Sequence, residues 1–206
     1  MEILVTNDDG VQAPSLLALV QALRKLDANI TVLAPERNWS ASGHVKTMHR
    51  PLRLSPTVLA DGSSAWQSDG APSDCVALAM MGALEQDFDL LVSGINPNAN
   101  IGLDVTYSGT VTAAMEASIW SKPGIAISLD APENHHGRLD FRSAAETAAR
   151  LTWQLADRAN GTHPAPIYNI NIPYRPEGDY AGVMITRQGV RIYRDVLEKR
   201  IDPRGK

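Results

Sequence analysis

The chain has 206 residues, 44% hydrophobic and 20% charged, a balance that fits a globular domain with a sizeable core and excludes a disordered or fibrous chain. A formal charge of −4 gives no electrostatic attraction to nucleic acid, so an anionic ligand has to be drawn locally, by a cation or by backbone donors. A single cysteine, Cys75, excludes an intrachain disulfide framework and a cysteine-rich zinc site.

The opening run Met1-Glu2-Ile3-Leu4-Val5-Thr6 lacks the basic start and long apolar stretch of a signal peptide. No run is long enough to cross a bilayer, so a cytoplasmic protein without membrane contact is expected. Residues 3–6 read as a strand that stops at the loop Asn7-Asp8-Asp9-Gly10. Pro14 then opens a helix, with Leu16, Leu19, Val20, Leu23 and Leu26 recurring at three- and four-residue spacing. Residues 30–34 form a second strand, closed by Pro35. This strand–helix–strand unit predicts a parallel pair with a right-handed crossover.

The pattern continues with a helix over 75–84 after Pro72, a strand over 90–93, a helix over 110–120 and a strand over 125–129. A helix over 141–155 follows, then strands over 167–172 and 183–186. The alternation predicts an α/β fold, a mostly parallel sheet covered on both faces. Between 45 and 68 the Pro-broken, alternating pattern predicts a small β excursion. Residues 130–140, with Pro132, His135, His136 and Gly137, read as a surface loop. Cys75, inside an apolar helical stretch, reads as a small buried hydrophobe. With no repeat or long linker, one domain over 1–206 is expected.

Residues capable of chemistry cluster where predicted strands end. Asn7, Asp8 and Asp9 follow the first strand; Asn38, Ser40, Ser42 and His44 follow the second; Gly94, Asn96, Asn98 and Asn100 follow the strand over 90–93. Ligands of open parallel sheets bind outside the carboxyl ends of the strands, so three loops feed one crevice. The adjacent carboxylates of Asp8 and Asp9 repel unless a cation lies beside them, and hard oxygen donors of this kind suit Mg²⁺ or Mn²⁺. Spacing alone gives equal weight to a second reading, in which the two aspartates make the turn and cap the following helix.

Tyr107-Ser108-Gly109-Thr110-Val111 leads into a helix, and its small residues and free N–H groups make a phosphate cradle, with hydroxyl donors from Ser108 and Thr110. The same residues also serve as an ordinary N-cap. The asparagine-rich loop Gly94-Ile95-Asn96-Pro97-Asn98-Ala99-Asn100 offers neutral oxygens to a metal, or is a turn-rich linker without chemistry. His44 is the histidine nearest the crevice, suited to proton transfer or phosphate binding, and equally to a structural role. Glu116 either anchors its helix through a buried hydrogen bond or faces water.

Taken together, these motifs resemble the SurE survival-protein family of nucleotidases. The resemblance also runs through Ala34-Pro35-Glu36-Arg37-Asn38, Ser40-Ala41-Ser42-Gly43-His44, Gly70-Ala71-Pro72-Ser73-Asp74-Cys75-Val76 and Val92-Ser93-Gly94-Ile95-Asn96. It extends to Ala113-Ala114-Met115-Glu116, Asn169-Ile170-Asn171-Ile172-Pro173 and Asp202-Pro203-Arg204-Gly205. It implies a Rossmann-like three-layer sandwich and a divalent-metal-dependent 5′-nucleotidase, a phosphoric monoester hydrolase that in some members also takes 3′-nucleotides or polyphosphate. It implies one Mn²⁺ or Mg²⁺ ion per subunit, held by Asp8, Asp9, Ser40 and Asn96, with Asp8 and Asp9 in the catalytic role and phosphate on Ser108, Gly109 and Thr110. His44 and Asn98 are possible accessory residues, and a homodimer or homotetramer is implied.

Two departures stand out. Asn98 occupies a position that is glycine in the family pattern, where asparagine's tolerance of positive φ is expected to preserve the loop. Family members also continue past Asp202-Pro203-Arg204-Gly205, whereas this chain ends at Lys206. That second departure keeps a rival open, a catalytically weak nucleotide-binding module using the same cleft. A dinucleotide oxidoreductase would carry Gly-x-Gly-x-x-Gly after the first strand, where Asn7-Asp8-Asp9-Gly10 stands instead.

Overall fold

In a computed structural model, which describes residues 1–132, 134–159, 161–190 and 196–200, the chain builds one seven-stranded sheet. The strands are β1 (Glu2–Thr6), β2 (Asn29–Pro35), β3 (Leu54–Val58), β4 (Ser64–Ser68), β5 (Leu90–Asn96), β6 (Gly124–Asp130) and β7 (Ile167–Pro173). Their order is β3-β4-β2-β1-β5-β6-β7, and every pairing is parallel except the β3–β4 hairpin. The helices are α1 (Pro14–Leu23), α2 (Pro72–Met80), α3 (Gly109–Ile119) and α4 (Arg142–Ala159), with a 3₁₀ turn over Gly102–Thr106.

Alternation along β1 shows how the sequence sets up the layers. Ile3 and Val5 belong to a cluster with Leu16, Leu19 and Val20 of α1 and Ala144 and Ala148 of α4. Leu4 belongs to the opposite cluster, with Cys75 and Val76 of α2 and Ala113 and Ala117 of α3. A period of two therefore sends neighbouring side chains to opposite helical layers, and each fully buried Leu or Ile contributes about 1.5–3 kcal/mol. Cys75 is fully buried and burial pushes its thiol far up, which fits an inert apolar role. Among the described residues, no helix is long and apolar enough to cross a membrane.

Two expectations are corrected. The β excursion expected over 45–68 is part of the main sheet, because β4 pairs in parallel with β2 through Leu33↔Trp66 and Ala34↔Gln67. Residues 183–186 form no strand: Val183, Met184 and Ile185 are 73%, 84% and 97% exposed, and β-rich composition yields a strand only where a neighbour supplies the ladder. The Asp202-Pro203-Arg204-Gly205 segment lies outside the described residues.

From β1 the chain steps outward through β2 and β4, then returns to β5 on the other side of β1. The switch point of the sheet thus falls between the carboxyl ends of β1 and β5. Close packing holds this half together: a Cβ at Gly124 in β6 would lie 2.2 Å from the Ala114 carbonyl oxygen of α3. Neither group is a flexible side-chain end, so Gly124→Ala should cost at least about 1–3 kcal/mol through overpacking. A lowered urea midpoint with an unchanged m-value is the expected result.

Candidate functional site

The loop after β1 is shaped by Asn7, whose Oδ1 accepts from the Gly10 N–H (3.2 Å) and whose Nδ2 donates to the Gly10 carbonyl (3.0 Å). This closed turn sets Asp8 and Asp9 at the switch point. They do not cap the next helix, because the N-cap of α1 is Ala13, without a side-chain cap. Of the two readings open in the sequence, the turn is therefore Asn7's work and the carboxylates are left for another purpose.

Asp8 is 3% exposed, and its Oδ1 accepts the Thr110 hydroxyl at 2.8 Å. Burial raises its carboxyl above the usual range; the Thr110 hydroxyl and the backbone of Thr110 and Gly109 act in the opposite direction. A Cβ at Gly109 would lie 2.7 Å from the Asp8 Cβ, so the start of α3 rests directly on this aspartate. Asp9 is lifted from 3.8 to about 6, first by burial and then by the Asp8 charge. Its Oδ1 has only a long contact, 3.5 Å, from the Asn38 amide, and its Oδ2 is buried without a hydrogen-bond partner. An orphaned carboxylate oxygen beside a second carboxylate is a poor arrangement for protein alone and a good one for a cation.

The loop after β2 is tied to the same place. The Trp39 N–H donates to the Asp8 carbonyl at 2.7 Å, and the Ser40 N–H donates to Asn38 Oδ1 at 2.7 Å. Ser40 thus stands one hydrogen bond from Asn38, which itself contacts Asp9. Asn96 ends β5, three residues past Ser93, which pairs with Thr6. Its Nδ2 donates to the Asn98 carbonyl at 2.5 Å, leaving its Oδ1 as the uncommitted atom. The hydroxyls of Thr6 and Ser93, paired across the two strands just before these loops, are both buried without partners.

The structure assigns the candidate hydroxyls of the α3 turn to specific tasks. Ser108 is the N-cap, accepting from the Val111 N–H at 3.1 Å, and Thr110 donates to Asp8. The hydroxyl of Thr110 is therefore committed, the Val111 N–H is held by Ser108, and the Gly109 and Thr110 backbone lies against Asp8, so the positive end of the helix faces that carboxylate. The asparagine loop is pinned from across the sheet rather than being a loose linker. Asn100 is 7% exposed; its N–H donates to Asn171 Oδ1 and its Nδ2 to the Ser128 hydroxyl, both at 2.8 Å. Its carbonyl accepts from Asn169 and Asn171, at 2.8 and 3.1 Å.

Asn98 does not take up the positive φ expected of a glycine replacement. In this loop the left-handed residues are Gly94 (φ +139°) and Gly102 (φ +57°). At Gly94 the register between β5 and β6 shifts, and a Cβ there would lie 2.4 Å from the Ile127 carbonyl oxygen. Asn98 is exposed and needs no backbone tolerance.

Glu116 is the residue whose role the sequence left open. It is 2% exposed and accepts three donors: His44 Nε2 at 2.8 Å, Lys46 Nζ at 2.6 Å and Trp120 Nε1 at 2.9 Å. Burial works to raise its carboxyl, and the bonds from Lys46, His44 and Trp120 outweigh it, leaving it below the ordinary range. His44 is therefore paired to Glu116, about 10 Å along the helix axis from Gly109 at two turns of α3. No local feature of the sequence marks this pair, whose members are 72 residues apart. His135 is less of a bare surface residue than expected, packing edge-on to Tyr174 at 4.9 Å.

A mostly parallel sheet covered on both faces, with the Asp8 and Asp9 carboxylates at its switch point, defines a Rossmann-like α/β protein with a polar cleft. The family model described as survival protein SurE matches residues 3–195, and the chain belongs to the SurE family. It is 47% identical over 206 residues to the 5′-nucleotidase SurE of Chloroflexus aggregans, covering 100% of this chain and 79% of that protein. It is also 47% identical, over 207 residues, to the 5′-nucleotidase SurE of Herpetosiphon aurantiacus, with 100% and 79% coverage. The crystal structure of the SurE protein from Aquifex aeolicus superposes with a TM-score of 0.82 at 37% identity, covering 100% of this chain and 79% of that one.

The Asp8–Asp9 pair makes the cation-free protein sensitive to pH. Folded Asp9 holds its proton to about pH 6, whereas the unfolded chain releases it near 3.8. The folded state binds more protons in this window, so stability contributed here falls as pH rises from about 4 to about 6. Asp61, Asp69, Glu116 and Asp140 are held below the usual range, Asp140 at about 2, and oppose it only at lower pH. Asp9→Asn should reduce the decline, leaving the part that buried Asp8 contributes, and stabilise the chelated protein at neutral pH by roughly 1–2 kcal/mol, the ionisation cost discounted for partial exposure. Urea unfolding in chelator across pH 4–8 checks this.

Proposed function

We propose that the chain hydrolyses nucleoside monophosphates to nucleoside and phosphate, with a divalent cation held by Asp8, Asp9, Ser40 and Asn96. The observation that carries this reading is the buried, unpartnered Asp9 Oδ2 beside the Asp8 carboxylate at the switch point of the sheet. All four donors are hard oxygens, which favours Mg²⁺ or Mn²⁺ over softer metals. When bound, such an ion polarises phosphate oxygens and makes a coordinated water acidic.

The remaining work falls to this chain's own groups. Thr110 holds Asp8 Oδ1 by its hydroxyl, and the first turn of α3 offsets part of the rise that burial gives that carboxyl. Asn38 bridges Asp9 and the Ser40 backbone, linking the loops after β1 and β2. The Ser108, Gly109 and Thr110 turn is the proposed seat of the non-bridging phosphate oxygens, at the positive end of the α3 dipole, where negative charge builds up during transfer. A cavity of about 560 Å³, lined by Asn98, Ile101, Asp130, Ala131 and Val190 among others, adjoins the asparagine loop and has the size for a nucleoside. The relatives named 5′-nucleotidase SurE support a 5′-phosphate as the principal substrate. The exposed apolar run Val183, Met184 and Ile185 supports self-association of the chain.

Phosphate release from a panel of 5′- and 3′-nucleotides, with Mn²⁺ or Mg²⁺ and again after chelation, is the test. Cation-dependent release, highest with 5′-nucleotides, is expected. Asp8→Asn and Asp9→Asn should each lower kcat/KM at least about 100-fold, roughly 2.7 kcal/mol, while keeping a native circular dichroism spectrum. Chelator-insensitive release, or none from folded protein, would overturn the reading.

A further inference from the structure

The segment carrying Ser40 is attached at both ends. At its start, Trp39 donates to the Asp8 carbonyl and Asn38 contacts Asp9. At its end, His44 and Lys46 both reach Glu116 on α3, at 2.8 and 2.6 Å. Between them the backbone turns through two left-handed residues, Ala41 (φ +56°) and Gly43 (φ +64°). Gly43 is docked as well, its N–H donating to the Tyr107 carbonyl at 2.9 Å and its carbonyl accepting the Thr112 hydroxyl at 3.1 Å. Ser40 thus lies between two anchors, its own N–H donating to Asn38 Oδ1 at 2.7 Å.

Glu116 is an unusual residue for its place. It occupies a buried position on a helix whose neighbouring buried residues are Ala113, Ala114 and Ala117. A buried ion pair is weak grounds for stability, since apolar residues of similar volume often do as well. Stability alone therefore does not account for a carboxylate here. Its donors offer another account: two of the three come from the segment that presents Ser40, and they remain 30% and 41% exposed while Glu116 is 2% exposed. Geometry of this kind matches the outer partners that orient a metal's direct ligands.

We propose that Glu116 is a positioning residue: by clasping His44 and Lys46 it fixes the Ser40 segment against Asp8 and Asp9 and so sets the affinity of the site for a divalent cation. The proposal rests on the cation reading given above. It assigns His44 to the clasp instead of to proton transfer, and it makes the cation site depend on a residue that touches neither cation nor substrate.

Mn²⁺ titration calorimetry on the full chain tests it, with Glu116→Gln, Lys46→Met and Lys46→Arg beside the unsubstituted protein. Glu116→Gln keeps the volume and a hydrogen-bonding oxygen but loses the charge; it should raise the Mn²⁺ Kd by about 10-fold or more. Lys46→Met should weaken binding several-fold, and Lys46→Arg, which restores the cation, should recover it. A folded Glu116→Gln with a lower melting temperature in chelator but an unchanged Kd would overturn the proposal in favour of a purely structural Glu116. If Glu116→Gln does not fold, the Lys46 pair decides: weakening by Met and recovery by Arg supports the clasp, while wild-type Kd in both overturns it. Absence of Mn²⁺ binding by the unsubstituted chain would overturn the cation reading itself, and the clasp's role with it.

Discussion

A carboxylate at the end of a fully buried strand is costly to ionise, and Asp8 and Asp9 put two there in succession. Much of the surrounding structure can be understood as a response to that charge. The amino end of α3 is brought so close to Asp8 that only glycine fits at position 109. Thr110 gives its hydroxyl to the same carboxylate. The loop after β2 folds back to donate a backbone N–H to the Asp8 carbonyl and an amide toward Asp9. These measures serve Asp8 well and Asp9 poorly, since Asp9 Oδ2 remains buried and unpartnered. An uneven settlement of this kind leaves one charge for something outside the protein to balance.

The sheet order decides why this happens at one place. Because the chain winds outward from β1 to β2 and β4 before returning to β5, the loops after β1 and β5 diverge to opposite faces and leave a crevice between them. Polar groups placed at these strand ends meet there, with the register shift at Gly94 in β5 as the local irregularity. The asparagine loop is then held from the far side, by Ser128 in β6 and by Asn169 and Asn171 in β7. Four consecutive positions in the sheet, β1, β5, β6 and β7, therefore contribute to the shape of one cleft.

What was legible in the sequence is what short-range physics dictates. Short continuous apolar runs mark β1, β2, β5 and β6, three- and four-residue spacing marks α1, and polar strand ends mark the cleft. Long-range pairing was not legible. Nothing local in Ser64–Ser68 says that β4 joins β2 in the main sheet, so the hairpin looked like an excursion. Residues 183–186 carried the composition of a strand but found no ladder partner among the described residues. Glu116 sat among small residues with no sign that His44 and Lys46, some seventy residues earlier, would reach it. At Asn98 the inference from glycine to positive φ failed, because the tight backbone is supplied by Gly94 and Gly102 instead.

The two carboxylate centres of this cleft solve opposite problems, and the contrast explains why one was visible and the other hidden. Asp8 and Asp9 are adjacent in sequence and Asp9 is short of donors, so repulsion between neighbours is already apparent from their order. Glu116 is a lone carboxylate with three donors, all supplied by tertiary structure, and only the folded chain shows that its charge is fully met. A satisfied buried carboxylate rigidifies whatever donates to it, whereas an unsatisfied one attracts a missing partner. Joined through the Ser40 segment, the satisfied centre supplies rigidity to the unsatisfied one. A site that must present oxygen donors at fixed spacing to a small hard cation needs both properties at once, and here they are divided between residues on different elements.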